Sequence, residues 1–134
     1  MDLADLKHRA QVARQFDVVV DHGVDGIGPV SITLRVPTRH EASVAYMESA
    51  GRVKAASDVR FERALLLCAI VGWAGVRVRH VLPDSPQASD AIELEPDAVA
   101  LVLDAQPAWE DALLPELLAR LTARNTALEA AEKN

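Results

Sequence analysis

Four histidines, one cysteine and a set of evenly spaced aspartates are the residues of this chain whose types could do chemistry. A zinc site needs several imidazole, thiolate or carboxylate ligands around one ion, and sequences announce it by spacings such as H-E-x-x-H or C-x-x-C. His8, His22, His40 and His80 stand apart from one another and from Cys68. No metal site is expected, and each imidazole reads as a surface or loop residue. Cys68 sits inside the apolar run RALLLCAIV, with Arg63 its one basic neighbour. It reads as a small buried hydrophobe rather than a thiol activated for attack.

Asp17, Asp21 and Asp25 recur every fourth residue near a turn. On a strand, Asp17 and Asp21 share a face but lie too far apart to act as a paired acid and base. Calcium held by Asp21, Asp25 and backbone carbonyls is the remaining metal alternative. The stretch GVDGIG invites comparison with a phosphate-binding loop. Its glycines fall at 23, 26 and 28, the lysine and hydroxyl of the nucleotide loop are missing, and the following PVSITLRV has a strand pattern where a helix is required. It reads as a turn. No serine has a nucleophile-elbow context. No catalytic residue and no cofactor is assigned, and the chain reads as a non-enzyme.

The elements that position these residues follow from periodicity. Leu3, Leu6, Ala10 and Ala13 repeat at helical spacing in a short first helix. Phe16–Val20 is β-branched, and Val30, Ile32, Leu34 and Val36 alternate with Ser31, Thr33 and Arg35. With three glycines and a proline between them, the two runs predict an antiparallel hairpin. Thr38 and Glu41 have the T-x-x-E spacing of a capping box, opening a helix with Ala42, Ala45, Tyr46 and Ala50 inward and an interruption at Gly51. Ser57 is the next expected N-cap, with Asp58 in the first turn. The apolar helix that follows (RFERALLLCAIVGW) is expected to run to about Val71 and to stop at Gly72–Gly75. Val76, Val78 and His80 alternate with Arg77 and Arg79, as a short strand or an extended link. Pro96 opens another helix, with Val99, Val102 and Leu103 inward. Pro107 marks a boundary before a last amphipathic helix that starts near Trp109–Asp111, and Pro115 is either in its first turn or at a kink.

The class is therefore α+β: a short N-terminal β-hairpin packed against a mostly helical body, with an amphipathic C-terminal helix. Residues 1–124 read as a single domain and 125–134 as a polar, frayed tail. A chain of 134 residues buries roughly 65–70% of its unfolded surface without help from a metal or disulfide. With one cysteine there is no internal disulfide, so a reducing compartment is the default.

A net charge of −6 argues against nucleic acid as a partner. The charge is uneven: residues 1–80 hold eleven Lys/Arg against nine Asp/Glu, and residues 81–134 hold three against eleven. The N-terminus MDLADLKHRAQ carries acidic residues where a secretion signal carries basic ones, and the longest apolar run is too short for a membrane span. A soluble, cytoplasmic protein is expected.

Two stretches carry a family resemblance. One is TLRVPTRHE, from Thr33 to Glu41, stepping from a strand pair into a helix; the other is RALLLCAIVGWAGV, from Arg63 to Val76, ending in a tryptophan–glycine turn. With the acidic segment, helix, proline and final helix from Leu94 to Leu121, they resemble the tail assembly chaperones of long-tailed bacteriophages and phage-like elements (prophages among them), over roughly residues 16–125. Arg77, Arg79 and His80 depart from that pattern, where relatives have an acidic or polar stretch after the tryptophan turn. The resemblance implies a non-catalytic protein of the host cytoplasm that binds the helical tape measure protein, keeps it soluble, promotes tail-tube assembly and leaves the finished particle. It also implies a longer frameshifted form that touches the tail-tube protein.

A binder of long helices needs apolar grooves with a charged rim. The candidates for partner contact are Trp109, Leu113, Leu114, Leu117, Leu118 and Leu121, with Trp73 second. The leucine stripe serves equally well as this chain's own core, and self-association stays open. The alternatives are a structural tail subunit of terminator or connector type and a small cellular adaptor or antitoxin-like module.

Overall fold

The period of two in residues 30–35 has the consequence expected of it. In the computed structural model, which describes residues 1–24, 26–50 and 57–133, Val30, Ile32 and Leu34 are buried while Ser31, Thr33 and Arg35 are half-buried. This strand, β2 (Val30–Arg35), pairs antiparallel with β1 (Gln15–Asp21) to make the expected hairpin, with Phe16 opposite Leu34 and Val18 opposite Ile32. A bulge near Val19–Asp21 precedes the loop, where Val24 and Ile27 bridge across Gly26. Asp25 lies outside the described residues, and with it the calcium alternative.

A third strand forms where the end of a helix was expected, upstream of the Val76–His80 stretch that offered a strand or an extended link. The apolar helix α3 (Ser57–Ala69) stops short of Val71, and β3 (Ile70–Ala74) follows at once, antiparallel to β2 in the order β1-β2-β3. The β-branched pair Ile70 and Val71 favours extended backbone. Gly72 lies opposite Thr33, and a Cβ there would meet the Thr33 Cβ at 3.4 Å. Gly75, at φ 86°, turns the chain out of the sheet, so Val76 and Arg77 form an extended link whose one bridge is to Ala91. Val78–His80 is a single 3-10 turn.

The rest of the described chain is mainly helical. The first, α1 (Leu3–Ala13), is capped by the Asp2 carboxylate, which accepts the Asp5 N–H at 2.7 Å. The capping box of α2 (Arg39–Ala50) forms as read: Thr38 N–H donates to Glu41 and Glu41 N–H donates to Thr38 Oγ1, both at 3.1 Å. Ala42 and Ala45 face inward, but Tyr46 is exposed and meets Phe61 edge-on at 5.7 Å. The interruption expected at Gly51 and the side chains of Ala50, Ser57 and Asp58 lie outside the described residues. Pro96 is the first residue of α4 (Pro96–Ala105), whose buried face is Val99, Val102 and Leu103.

The last helix, α5 (Pro107–Lys133), begins at Pro107 and carries Pro115 in its interior. Pro115 has no N–H for the Asp111 carbonyl, and both residues are exposed, where water can satisfy that oxygen. The helix runs on through residues 125–133 despite their polar sequence. α5 packs along β1, and α3 and α4 pack against α5. One core joins Val30, Ile32 and Leu34 to Leu65, Leu66, Val102, Leu103, Leu113 and Leu117. The architecture is the expected hairpin with a largely helical body, five α-helices among the described residues.

Candidate functional site

The leucine stripe of α5 divides by depth. Trp109, Leu113 and Leu117, four residues apart, point into the core and are almost wholly buried. They fasten α5 to the sheet, which puts them out of a partner's reach in this conformation. Leu118 and Leu121 are half-buried against the same core, and Leu114 is half-buried beside them. Trp73 lies elsewhere, on β3, half-buried, with its indole N–H donating to the Ile92 carbonyl at 2.9 Å. That bond ties the sheet edge to the segment before α4.

His80, expected at the surface or in a loop, lies in a short turn but is buried. The 3-10 turn folds it inward, its ring centroid 4.9 Å from that of Trp109. Its Nδ1 accepts the Arg77 N–H at 2.9 Å, while Gln106 Nε2 donates to the His80 carbonyl. Burial lowers the imidazole pKa, against the opposing pull of the Arg77 carbonyl, so the neutral ring is favoured. His8, His22 and His40 are exposed, and among the described residues no group of His, Cys, Asp or Glu could hold a metal ion.

Cys68 is exposed rather than buried. On α3 the core face is set by Leu65, Leu66 and Ala69, and Cys68 falls roughly 100° away from its centre. Although the residue is exposed, its thiol is partly desolvated, and this together with the Glu41 carboxylate, whose Oε2 lies 3.9 Å from the sulfur, raises its pKa. This is the opposite of an activated nucleophile.

Glu41 is the hub of a second cluster. Its two oxygens accept Arg14 Nη1 at 3.0 Å and Arg35 Nη2 at 2.7 Å, besides the Thr38 N–H. Burial acts to raise its pKa, but the Thr38 amide and the two guanidinium groups more than offset this and hold it at about 2. Arg14 Nη1 also donates to the Val36 carbonyl, and Val36 N–H donates to the Arg14 carbonyl. Through these bonds the end of α1 is pinned to the start of α2.

The rest of α1 is uncovered. None of its residues is buried, and Leu3 and Leu6 are 65% and 54% exposed. Leu3, Leu6, Ala10 and Ala13 therefore form a solvent-facing apolar stripe. Ala13 ends it at a cleft of about 280 Å³ lined by Arg14, Gln15, Val36, Arg120, Ala123 and Arg124. The Arg120 guanidinium stacks 4.2 Å above the Phe16 ring. A smaller apolar cleft of about 200 Å³ lies between Leu67, Ile70, Leu94, Pro96 and Val99.

The first helix's apolar spacing was legible in the sequence, its exposure was not; a helix of this length with small residues at two of four stripe positions covers little core. The four-residue step from Arg120 to Arg124 is the one local signal of the arginine cleft. None of the described helices is long and apolar enough to cross a membrane. Compared with known proteins, the chain matches no family model, no curated protein and no solved structure.

Proposed function

We propose that this protein is a non-catalytic, protein-binding chaperone of the tail-assembly type, which covers exposed apolar helix on a long partner (the tape measure protein) and keeps it soluble until the tail tube encloses it. The observation that carries this reading is α1, a helix with no buried residue and an apolar stripe turned to solvent. Fully covering an exposed leucine is worth about 1.5–3 kcal/mol, and Leu3 and Leu6, 65% and 54% exposed, each offer part of that to a helix-on-helix contact. The order of elements from Thr33 to Leu121 supports the same reading by its resemblance to tail assembly chaperones. The partner surface moves accordingly from the buried residues Trp109, Leu113 and Leu117 to α1, with Leu114, Leu118 and Leu121 at the margin of α5.

The test is co-expression with the long helix-rich protein encoded downstream, tagging only the small chain, followed by mass spectrometry of mature particles. Soluble co-purification with absence from particles supports the reading. Precipitation of the long protein regardless, with the small chain in closed rings and retained in particles, overturns it in favour of a structural tail subunit.

A further inference from the structure

The C-terminal half of the chain, residues 81–134, holds three basic residues among eleven acidic ones, and two of the three, Arg120 and Arg124, line the same cleft. Arg14 lines it from the end of α1, so three arginines from two distant segments border one cleft with no carboxylate among its lining residues. In a chain of net charge −6 this is a local reversal of sign. Arg14 is held in place by the Val36 carbonyl and partly neutralised by Glu41. Arg120 lies face-on to Phe16 and forms a loose, solvent-exposed ion pair with Glu116 at 3.9 Å, too long for a hydrogen bond, which leaves the guanidinium able to take a closer carboxylate. Arg124 is half-buried and makes no ion pair with any described residue. Planar guanidinium groups match carboxylates, which they bind bidentately.

We propose that the cleft is a carboxylate-binding site that receives a cluster of acidic side chains at one end of an amphipathic helix on the partner, while the helix's apolar stripe lies along α1. The inference rests on the reading of α1 as the partner surface and adds the chemistry of what it recognises. Two observations join the parts. Ala13 belongs both to the apolar stripe and to the cleft wall, so one continuous surface runs from leucine to arginine. The lining charge also selects sign: an acidic segment gains charge-assisted hydrogen bonds there, and a basic one meets repulsion. A free small anion would use the arginines alone, without the stripe.

The probe is a fluorescein-labelled amphipathic peptide of about 20 residues, with leucines on one stripe and glutamates clustered at one end, compared with its Glu→Gln counterpart by anisotropy on the full chain. The glutamate peptide is expected to bind about tenfold more tightly, with the difference shrinking several-fold between about 50 and about 300 mM NaCl. Arg120→Gln with Arg124→Gln should abolish the difference at an unchanged circular dichroism melt, while Arg39→Gln, outside the cleft, should keep it. Equal binding of the two peptides, or discrimination that survives the double variant, overturns the proposal. So does displacement of the glutamate peptide by about 1 mM inorganic phosphate, which marks a small-anion site. Discrimination by the cleft without co-purification of the long protein supports the carboxylate site and removes the tail-assembly partner. Co-purification unaffected by the double variant does the reverse.

Discussion

Arg63 on α3 grips Glu110 on α5 fork to fork, Nε to one carboxylate oxygen and Nη2 to the other at 3.2 Å. Its Nη1 takes Asp104, at the end of α4, at 2.9 Å, so a single guanidinium joins three helices. The Glu110 hydrogen bond is the main cause of a raised arginine pKa, with burial acting against it. Both partners are about three-quarters buried, at 28% and 25% side-chain exposure. Removing one of them leaves a desolvated charge on the other. Arg63→Ala should cost about 2 kcal/mol in urea unfolding, and Arg63→Met with Glu110→Met should recover most of it.

Glu41 makes stability depend on acid. Its folded pKa of about 2 lies below the ordinary 4.5, so the unfolded chain takes up the proton first as pH falls. Its contribution is fully present above pH 4.5 and is lost progressively toward pH 2. Urea unfolding between those limits should show a decline on the order of 2 kcal/mol from this group, and Glu41→Gln should both lower stability near pH 7 and flatten that decline.

His80 acts with the same sign in a higher pH window. A lowered imidazole pKa means that the unfolded state protonates first as pH drops through the ordinary 6.5, so this contribution is present above that value and fades below it. Protonation next to Trp109 should quench its fluorescence. In a Trp73→Phe background, emission should stay constant through pH 6.5 and fall only at lower pH; a midpoint at or above 6.5 would contradict the burial argument.

Gly75 combines positive φ with close approach to a neighbouring strand end. A Cβ there would overlap the Pro29 carbonyl oxygen, which is backbone and has little freedom to retreat. Gly75→Ala should destabilise by about 2 kcal/mol or more, measured by thermal or urea unfolding, whereas Gly28→Ala, which meets open space, should change little.

Local signals were legible, and contacts between distant segments were not. The Thr38–Glu41 box, the strand alternation of residues 30–35, Pro96 as a helix start and the inward set Val99, Val102 and Leu103 are all decided within a few residues, and each stands as the sequence predicts. Ile70 and Val71 read as the end of a helix and Gly72–Gly75 as its stop, because the strand they pair with, Ser31–Leu34, lies far upstream. Cys68 read as buried because the run around it is apolar, although its helical angle turns it outward. The arginine cleft joins residues more than a hundred positions apart, and no periodicity encodes that.

The exposure of α1 carries a dynamic consequence. An isolated helix of eleven residues is marginal in water, and α1 adds no buried side chain to help it. Its amides should exchange hydrogen orders of magnitude faster than those of α4 in the free protein, and slow when a partner covers the stripe. Equal protection of α1 and α4 in the free chain would contradict this.

The most direct measurement is capture of the long helix-rich partner by the wild-type chain and by Leu3→Glu with Leu6→Glu, from parallel co-expressions with melting temperature as the control. Both leucines are more than half exposed, so the variant should melt within a few degrees of the wild type. If α1 is the surface that shields the partner, the wild type keeps the long protein soluble and the variant loses at least about tenfold of the captured amount. Equal capture by a folded variant would contradict the assignment of α1 as the binding face.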